Sequence, residues 1–137
     1  MLNKKKKEFK YIAFELKEGI LYSYLKDVII DIRIAKSLVK NRLEFQEENK
    51  APIILFGDKL ISIDREAREY FSKHGGRGVI STAVVTNKLI TKSMANFYIK
   101  VNKPRVPYKI FSNKADAIKW TKDQMHCYKK DLRVNQV

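Results

Sequence analysis

From Tyr11 to Lys17 apolar and polar positions alternate, with Ile12, Phe14 and Leu16 on one side and Glu15 and Lys17 on the other. Period-two alternation is the mark of a half-buried strand. Glu18-Gly19 is a turn signal, and Ile20 to Lys26 (ILYSYLK) reads as a second strand, so the pair predicts a β-hairpin. The period then changes. Val28, Ile32, Ala35, Val39 and Leu43 recur at helical spacing, which predicts a long helix from an N-cap at Asp27 to about Asn49. The short apolar run Ile53 to Phe56 predicts a strand covered on both faces. Ser62 or Asp64 can cap a second helix that carries Ile63, Ala67, Tyr70 and Phe71 and stops at Gly75-Gly76. Val79 to Val85 predicts a further buried strand. A third helix, capped by Thr86 or Asn87, runs to about Val101, where Asn102-Lys103-Pro104 stops it. Tyr108 to Phe111 reads as the last strand. Asn113, with Asp116 three residues on, caps a final helix to about Cys127.

The predicted order is hairpin first, then strict alternation of helices and strands. That order implies an α/β fold with βαβ crossovers and a mixed, mostly parallel sheet. At 137 residues the chain makes one domain, with no internal repeat. Its expected body is residues 9–128, between a basic flexible N-terminal tail at 1–8 and a frayed C-terminal tail at 129–137.

Composition narrows the function classes. No stretch approaches the roughly 18 consecutive apolar residues of a membrane span. A single Cys excludes an internal disulfide framework. Two His and one Cys in no ligand spacing argue against a metal site, and no cofactor is expected. The charged run at Lys4–Lys7 is followed by a stretch too polar for a signal peptide, so a cytoplasmic location with a reduced Cys127 is expected.

The formal charge is +14, unevenly placed. Met1 to Lys10 holds five basic residues and one acidic. Tyr11 to Glu69 holds ten basic and eleven acidic. Tyr70 to Lys114 holds nine basic residues and no acidic one. On a wheel of about 100° per residue from Lys88, Ile90, Met94, Phe97 and Val101 of the third helix fall between about 180° and 240°, the expected core stripe. Lys88, Lys92, Lys100 and Lys103 fall between about 0° and 120°, with Leu89 and Ile99 among them. Arg105 extends the basic region into the Asn102–Pro107 loop. A lysine row without a carboxylate suits an acidic protein partner, a nucleic acid backbone or an anionic membrane surface. Lysines turned to solvent would mark an interaction surface. Lysines paired with the acids of Tyr11–Glu69 would be structural, or a homodimer contact.

Other candidates carry less. Gly75-Gly76-Arg77-Gly78 leads from a helix into a strand, the reverse of a phosphate-binding loop. His126 and Cys127 are adjacent on a helix and diverge. Asp58 and Asp64 could pair only through the fold. No catalytic constellation is legible, and the chain is expected not to be an enzyme.

Three blocks carry a family resemblance: Ile61-Ser62-Ile63-Asp64-Arg65-Glu66-Ala67-Arg68-Glu69-Tyr70-Phe71; Asn96-Phe97-Tyr98-Ile99-Lys100-Val101-Asn102-Lys103-Pro104 with Pro107 and Ile110-Phe111; and Ala117-Ile118-Lys119-Trp120. From about Phe9 to Lys122 the chain resembles small bacterial STAS-like proteins. The resemblance implies a STAS-type α/β domain similar to anti-sigma-factor antagonists, which act by binding a protein. Some of these are switched by phosphorylation of a serine at a helix start after a central strand. Ser62 is the nearest counterpart, although Ile61-Ser62-Ile63-Asp64 stands where an Asp-Ser-Ser-Gly type signature would be. The leading expectation is a regulatory module that docks an acidic partner through Lys88, Leu89, Lys92, Ile99, Lys100, Lys103 and Arg105. Nucleic-acid or anionic-membrane binding through that face is the first alternative. A carrier of a small apolar ligand, with a pocket between sheet and helices, is the second.

Overall fold

The computed structural model describes residues 5–135. The elements run β1 (Lys5–Glu8), β2 (Ile12–Lys17), β3 (Ile20–Leu25), β4 (Val28–Ile30), α1 (Ile32–Gln46), β5 (Ala51–Phe56), β6 (Leu60–Ile63), α2 (Arg65–His74), β7 (Val79–Val85), α3 (Leu89–Asn102), β8 (Tyr108–Phe111) and α4 (Lys114–Asn135). Six strands form one sheet in the order β1-β2-β3-β5-β7-β8. β1, β2 and β3 pair antiparallel, while β3, β5, β7 and β8 pair parallel. This is the mixed, mostly parallel α/β sheet that the alternating pattern predicts.

Strand alternation sends side chains to two cores. Phe14, Leu21, Leu25 and Ile53 join Ala35, Leu38 and Phe45 of α1 and Ala67 of α2 on one face. Ile20, Tyr22, Ile54, Ala83 and Val85 join Ala117 of α4 on the other, with Phe111 and Trp120 packed at its margin. Pro52 lies buried within β5, where the register to β7 shifts between Ala51 and Ile53. Such an irregularity lets a strand hold a residue with no N–H to donate.

Three readings of the sequence need correction here. The first helix does not begin at Asp27. Val28 and Ile30 are buried and Ile29 is exposed, the period of a strand, and β4 pairs in parallel with β6 as a separate two-stranded sheet. Val28 therefore lies outside the helical stripe. Asp31 is the N-cap, accepting from Ile34 N at 2.9 Å, and its carboxyl is held below the usual range chiefly by that bond.

The basic tail at 1–8 is, from Lys5 to Glu8, an edge strand in register with Ala13–Leu16. Met1 to Lys4 lie outside the described residues. Lys5 donates to Phe45 O at 2.6 Å and lies 3.5 Å from Glu47; Lys6 pairs with Glu15 and Lys7 with Glu44. Lysines on an edge strand also discourage pairing with another chain. At the other end the expected tail from 129 is helix α4 as far as Asn135. Residues 136 and 137 lie outside the described residues.

Of the two caps expected for α2, the structure selects Asp64. Asp64 accepts from Ala67 N at 2.9 Å, while Ser62 lies half-buried in strand β6. Asp64 N donates to Ile30 O, so the parallel β4–β6 pair launches α1 and α2 from adjacent ends. At the start of α4, Asn113 and Asp116 exchange the expected capping bonds, both at 2.9 Å.

Candidate functional site

Helix α3 is seated by its small and polar side chains. Its N-cap residue is Lys88, with no side-chain cap. Thr86 Oγ1 instead accepts from Lys88 N at 3.1 Å and donates to Asp58, which also accepts from Asn87 N. Thr86 thus stabilises the entry to the helix without being its cap. Thr91 is fully buried, its hydroxyl donating to Gly57 O at 3.4 Å. A Cβ on Gly57 would lie 3.2 Å from Thr91 Cγ2, so the glycine permits this close approach. Asp58 is engaged here and Asp64 caps α2, so neither forms the carboxylate pair considered from sequence.

The side of α3 that faces the sheet carries Thr91, Ala95, Tyr98 and Asn102, buried or half-buried. On the helical wheel this stripe centres near 310°, a rotation of about 100° from the expected core. The stripe expected in the core is largely exposed: Ile90 is 62% exposed, Val101 55% and Phe97 48%, and Leu89 beside it is 80% exposed. Only Met94 of that stripe is half-buried. The correction has a physical cause. Thr91 is small enough to pack against Gly57, just beyond the end of β5, which a bulky side chain at that position would prevent.

The basic residues divide accordingly. Lys88, Lys100, Lys103 and Arg105 are exposed. Lys92 is half-buried and donates to Ser112 Oγ at 2.9 Å, and Ile99 is half-buried, so these two lie at the margin of the face. Lys103 closes the helix in a left-handed conformation, φ 47°. Arg68 of α2 donates to Ile63 O and places its guanidinium 4.9 Å from the Phe97 ring centre. None of the ion pairs among the described residues involves a base between Tyr70 and Lys114. Lys88, Lys100 and Lys103 are turned to solvent, and Lys92 meets Ser112; among the described residues none of the four pairs with the acids of the first half.

Behind α3 lies a cavity of about 500 Å³. Its floor is the α1–α2 face of the sheet, and its walls come from α1, α2, α3 and the Pro104–Val106 loop. The lining is dominated by aliphatic and aromatic side chains and contains no Asp or Glu. Tyr98 and Tyr108 border it with ring centres 5.6 Å apart. Burial pushes the Tyr98 phenol up to about 12, and raises Tyr108 as well. Arg42, 7% exposed, reaches its edge from α1. Its guanidinium donates to Gln46 Oε1, to Arg77 O at 2.8 Å and to Gly75 O at 3.0 Å. Burial lowers its pKa to about 10. The cavity was not assigned to any residue from sequence, because a gap between packed elements leaves no local signature.

Cys127 and His126 are exposed, and His74 packs against Tyr70 with tilted rings 4.6 Å apart between centres. Among the described residues no cluster of three or more His, Cys, Asp or Glu could hold a metal ion, and no helix is long and apolar enough to cross a membrane.

A family model described as a domain of unknown function (DUF7793) matches residues 14–125, and the chain belongs to that family. Among solved structures it is similar to an uncharacterized protein of the DUF3478 family with a SpoIIAA-like fold from Shewanella loihica PV-4. That match has a TM-score of 0.52 at 13% identity and covers 87% of this chain and 92% of the other. The likeness establishes a SpoIIAA-like, that is STAS-like, fold. No curated protein matches.

Proposed function

We propose that this member of DUF7793 is a non-enzymatic regulatory module of STAS type, which docks an acidic protein surface on the outer face of α3 and the Asn102–Pro107 loop. One observation carries the reading. Leu89, Ile90, Phe97 and Val101 stand exposed on the same helix as Lys88, Lys100 and Lys103, in a segment with no carboxylate from Tyr70 to Lys114. A cluster of large exposed apolar side chains is the usual mark of an interaction site. The surrounding cations select acidic partners and accelerate encounter, and the apolar groups supply the desolvated contact. Ser62 adds no support for a phosphorylation switch. It lies half-buried in β6, two residues before the cap, and not at the helix start where a phosphate would meet free N–H groups.

The test is affinity capture with the whole chain, followed by reconstitution with the purified partner. Lys88→Glu, Lys100→Glu and Lys103→Glu together should weaken that complex at least tenfold. An unchanged affinity overturns the reading. So does binding seen only with nucleic acid, or only with anionic vesicles, which would assign the face to the other two chemistries.

A further inference from the structure

The electrostatics of the cavity are not those of a neutral hydrophobic core. Arg42 is buried at its edge with three neutral oxygen partners. A buried cation without an opposite charge is unfavourable unless something compensates it. The carbonyls that hold Arg42 belong to the α2–β7 turn, Gly75 and Arg77. The Pro104–Val106 loop lies against the same turn, since a Cβ on Gly76 would sit 3.9 Å from Val106 Cγ1. Lys73, Arg77 and Arg105 also line the cavity, so four cations and no anion converge where turn and loop meet. The rest of the lining is mainly apolar and extends past Ser23 on the floor to Gly57 and Thr91 at the far end. Ser23 Oγ is buried, its residue 2% exposed, and has no hydrogen-bond partner among the described residues.

We propose that this cavity binds a single-chain anionic amphiphile, an acyl chain along the sheet floor with one carboxylate or phosphate head at the Arg42–Arg77–Arg105 end. Size agrees, since ligand pockets of proteins span about 300–1,000 Å³. Charge decides the class: an apolar lining alone would take neutral lipids, and a one-sign rim at one end orders the chain head-outward. The site uses the inner side of α3 and shares only Arg105 of the Asn102–Pro107 loop with the docking face, so displacement of the probe by amphiphiles is read without any protein partner.

The experiment uses the full chain and cis-parinaric acid, a fluorescent fatty acid. Saturable fluorescence is expected, displaced by palmitate or hexadecyl phosphate at least tenfold more effectively than by hexadecanol. The tighter of the two anions identifies the head group. Arg77→Glu with Arg105→Glu should abolish the preference for anions while hexadecanol still competes. Ala95→Trp should fill the cavity and remove probe binding, with circular dichroism confirming that the variant is folded. Should the filled variant not fold, the charge variant decides, since it changes exposed side chains only. Absence of saturable binding overturns the proposal. So do equal displacement by hexadecanol, an anion preference that survives the charge variant, and undiminished probe binding by folded Ala95→Trp.

Discussion

Lys5, Lys6 and Lys7 on β1 each lie within 3.6 Å of a glutamate, whereas Lys88, Lys100, Lys103 and Arg105 around α3 enter none of the ion pairs among the described residues. The two stretches are equally basic to the eye. The first is matched by Glu15 across the hairpin and by Glu44 and Glu47 at the end of α1, so its charge is spent inside the fold. The second has no acid within its own segment and borrows none from its neighbours. What separates them is therefore the placement of carboxylates, not the density of lysine. Net charge alone would have assigned both to the same partner.

Arg42 marks the extreme of this contrast, a cation held inside the protein by neutral oxygens. Replacing it by Met removes three hydrogen bonds and leaves Gln46 and the Gly75 and Arg77 carbonyls short of a donor. The expected cost is about 3 kcal/mol, since each buried group left unpaired costs about 1–3 kcal/mol and part of the loss is returned by sparing a buried charge. Urea unfolding of Arg42→Met checks it. A loss below about 1 kcal/mol would mean that the turn finds other donors and that Arg42 is not a structural cation.

Next in size is the α3 face. Lys88→Glu, Lys100→Glu and Lys103→Glu should cost at least tenfold in partner affinity, about 1.4 kcal/mol. Most of the change should appear in the association rate and in its salt dependence. Surface-plasmon kinetics at two salt concentrations separate these. Equal weakening by charge reversal on β1 would erase the distinction between the two regions.

Which parts were legible follows from where the information sits. The runs Ile53–Phe56 and Val79–Val85, the Asn113–Asp116 cap and the hairpin are local, and their residues suffice to place them. The missed strands carry no strand signature of their own and form only against a partner. β4 is three apolar residues with no polar alternation, and it becomes a strand only through β6, some thirty residues on. β1 has the composition of a solvated tail; its strand partner β2 is close in sequence, but the glutamates that meet Lys5 and Lys7, at the end of α1, lie about forty residues away. On α3 two stripes compete. Ile90, Phe97 and Val101 are the more hydrophobic, yet the smaller stripe Thr91, Ala95, Tyr98 and Asn102 faces the sheet because it allows close approach at Gly57. The lysines and Leu89 were legible as an exposed face. The apolar half of that face is not legible, because hydrophobicity at helical spacing by itself predicts burial.

That rotation can be tested by stability. Ile90→Ser with Phe97→Ser would cost several kcal/mol in a core stripe, since burying a large apolar side chain is worth about 1.5–3 kcal/mol. With both exposed, the pair should cost no more than about 1 kcal/mol, measured by chemical unfolding. A larger loss would place α3 in the orientation expected from its hydrophobic periodicity.

The smallest expected effect is on β1. Lys6→Glu and Lys7→Glu break two exposed ion pairs and set like charges side by side. Exposed pairs contribute at most about 1 kcal/mol each and lose that in salt. The double variant should therefore lose about 1 kcal/mol at low ionic strength and recover most of it in 1 M NaCl, while binding the α3 partner as the wild type does. The same reversal on α3 removes no ion pair, so Lys88→Glu with Lys100→Glu should leave stability unchanged or slightly raised, because it lowers the repulsion within a net-positive chain. If reversing β1 proves as harmless as reversing α3, its glutamates do not neutralise it in solution, and β1 becomes a second exposed basic surface.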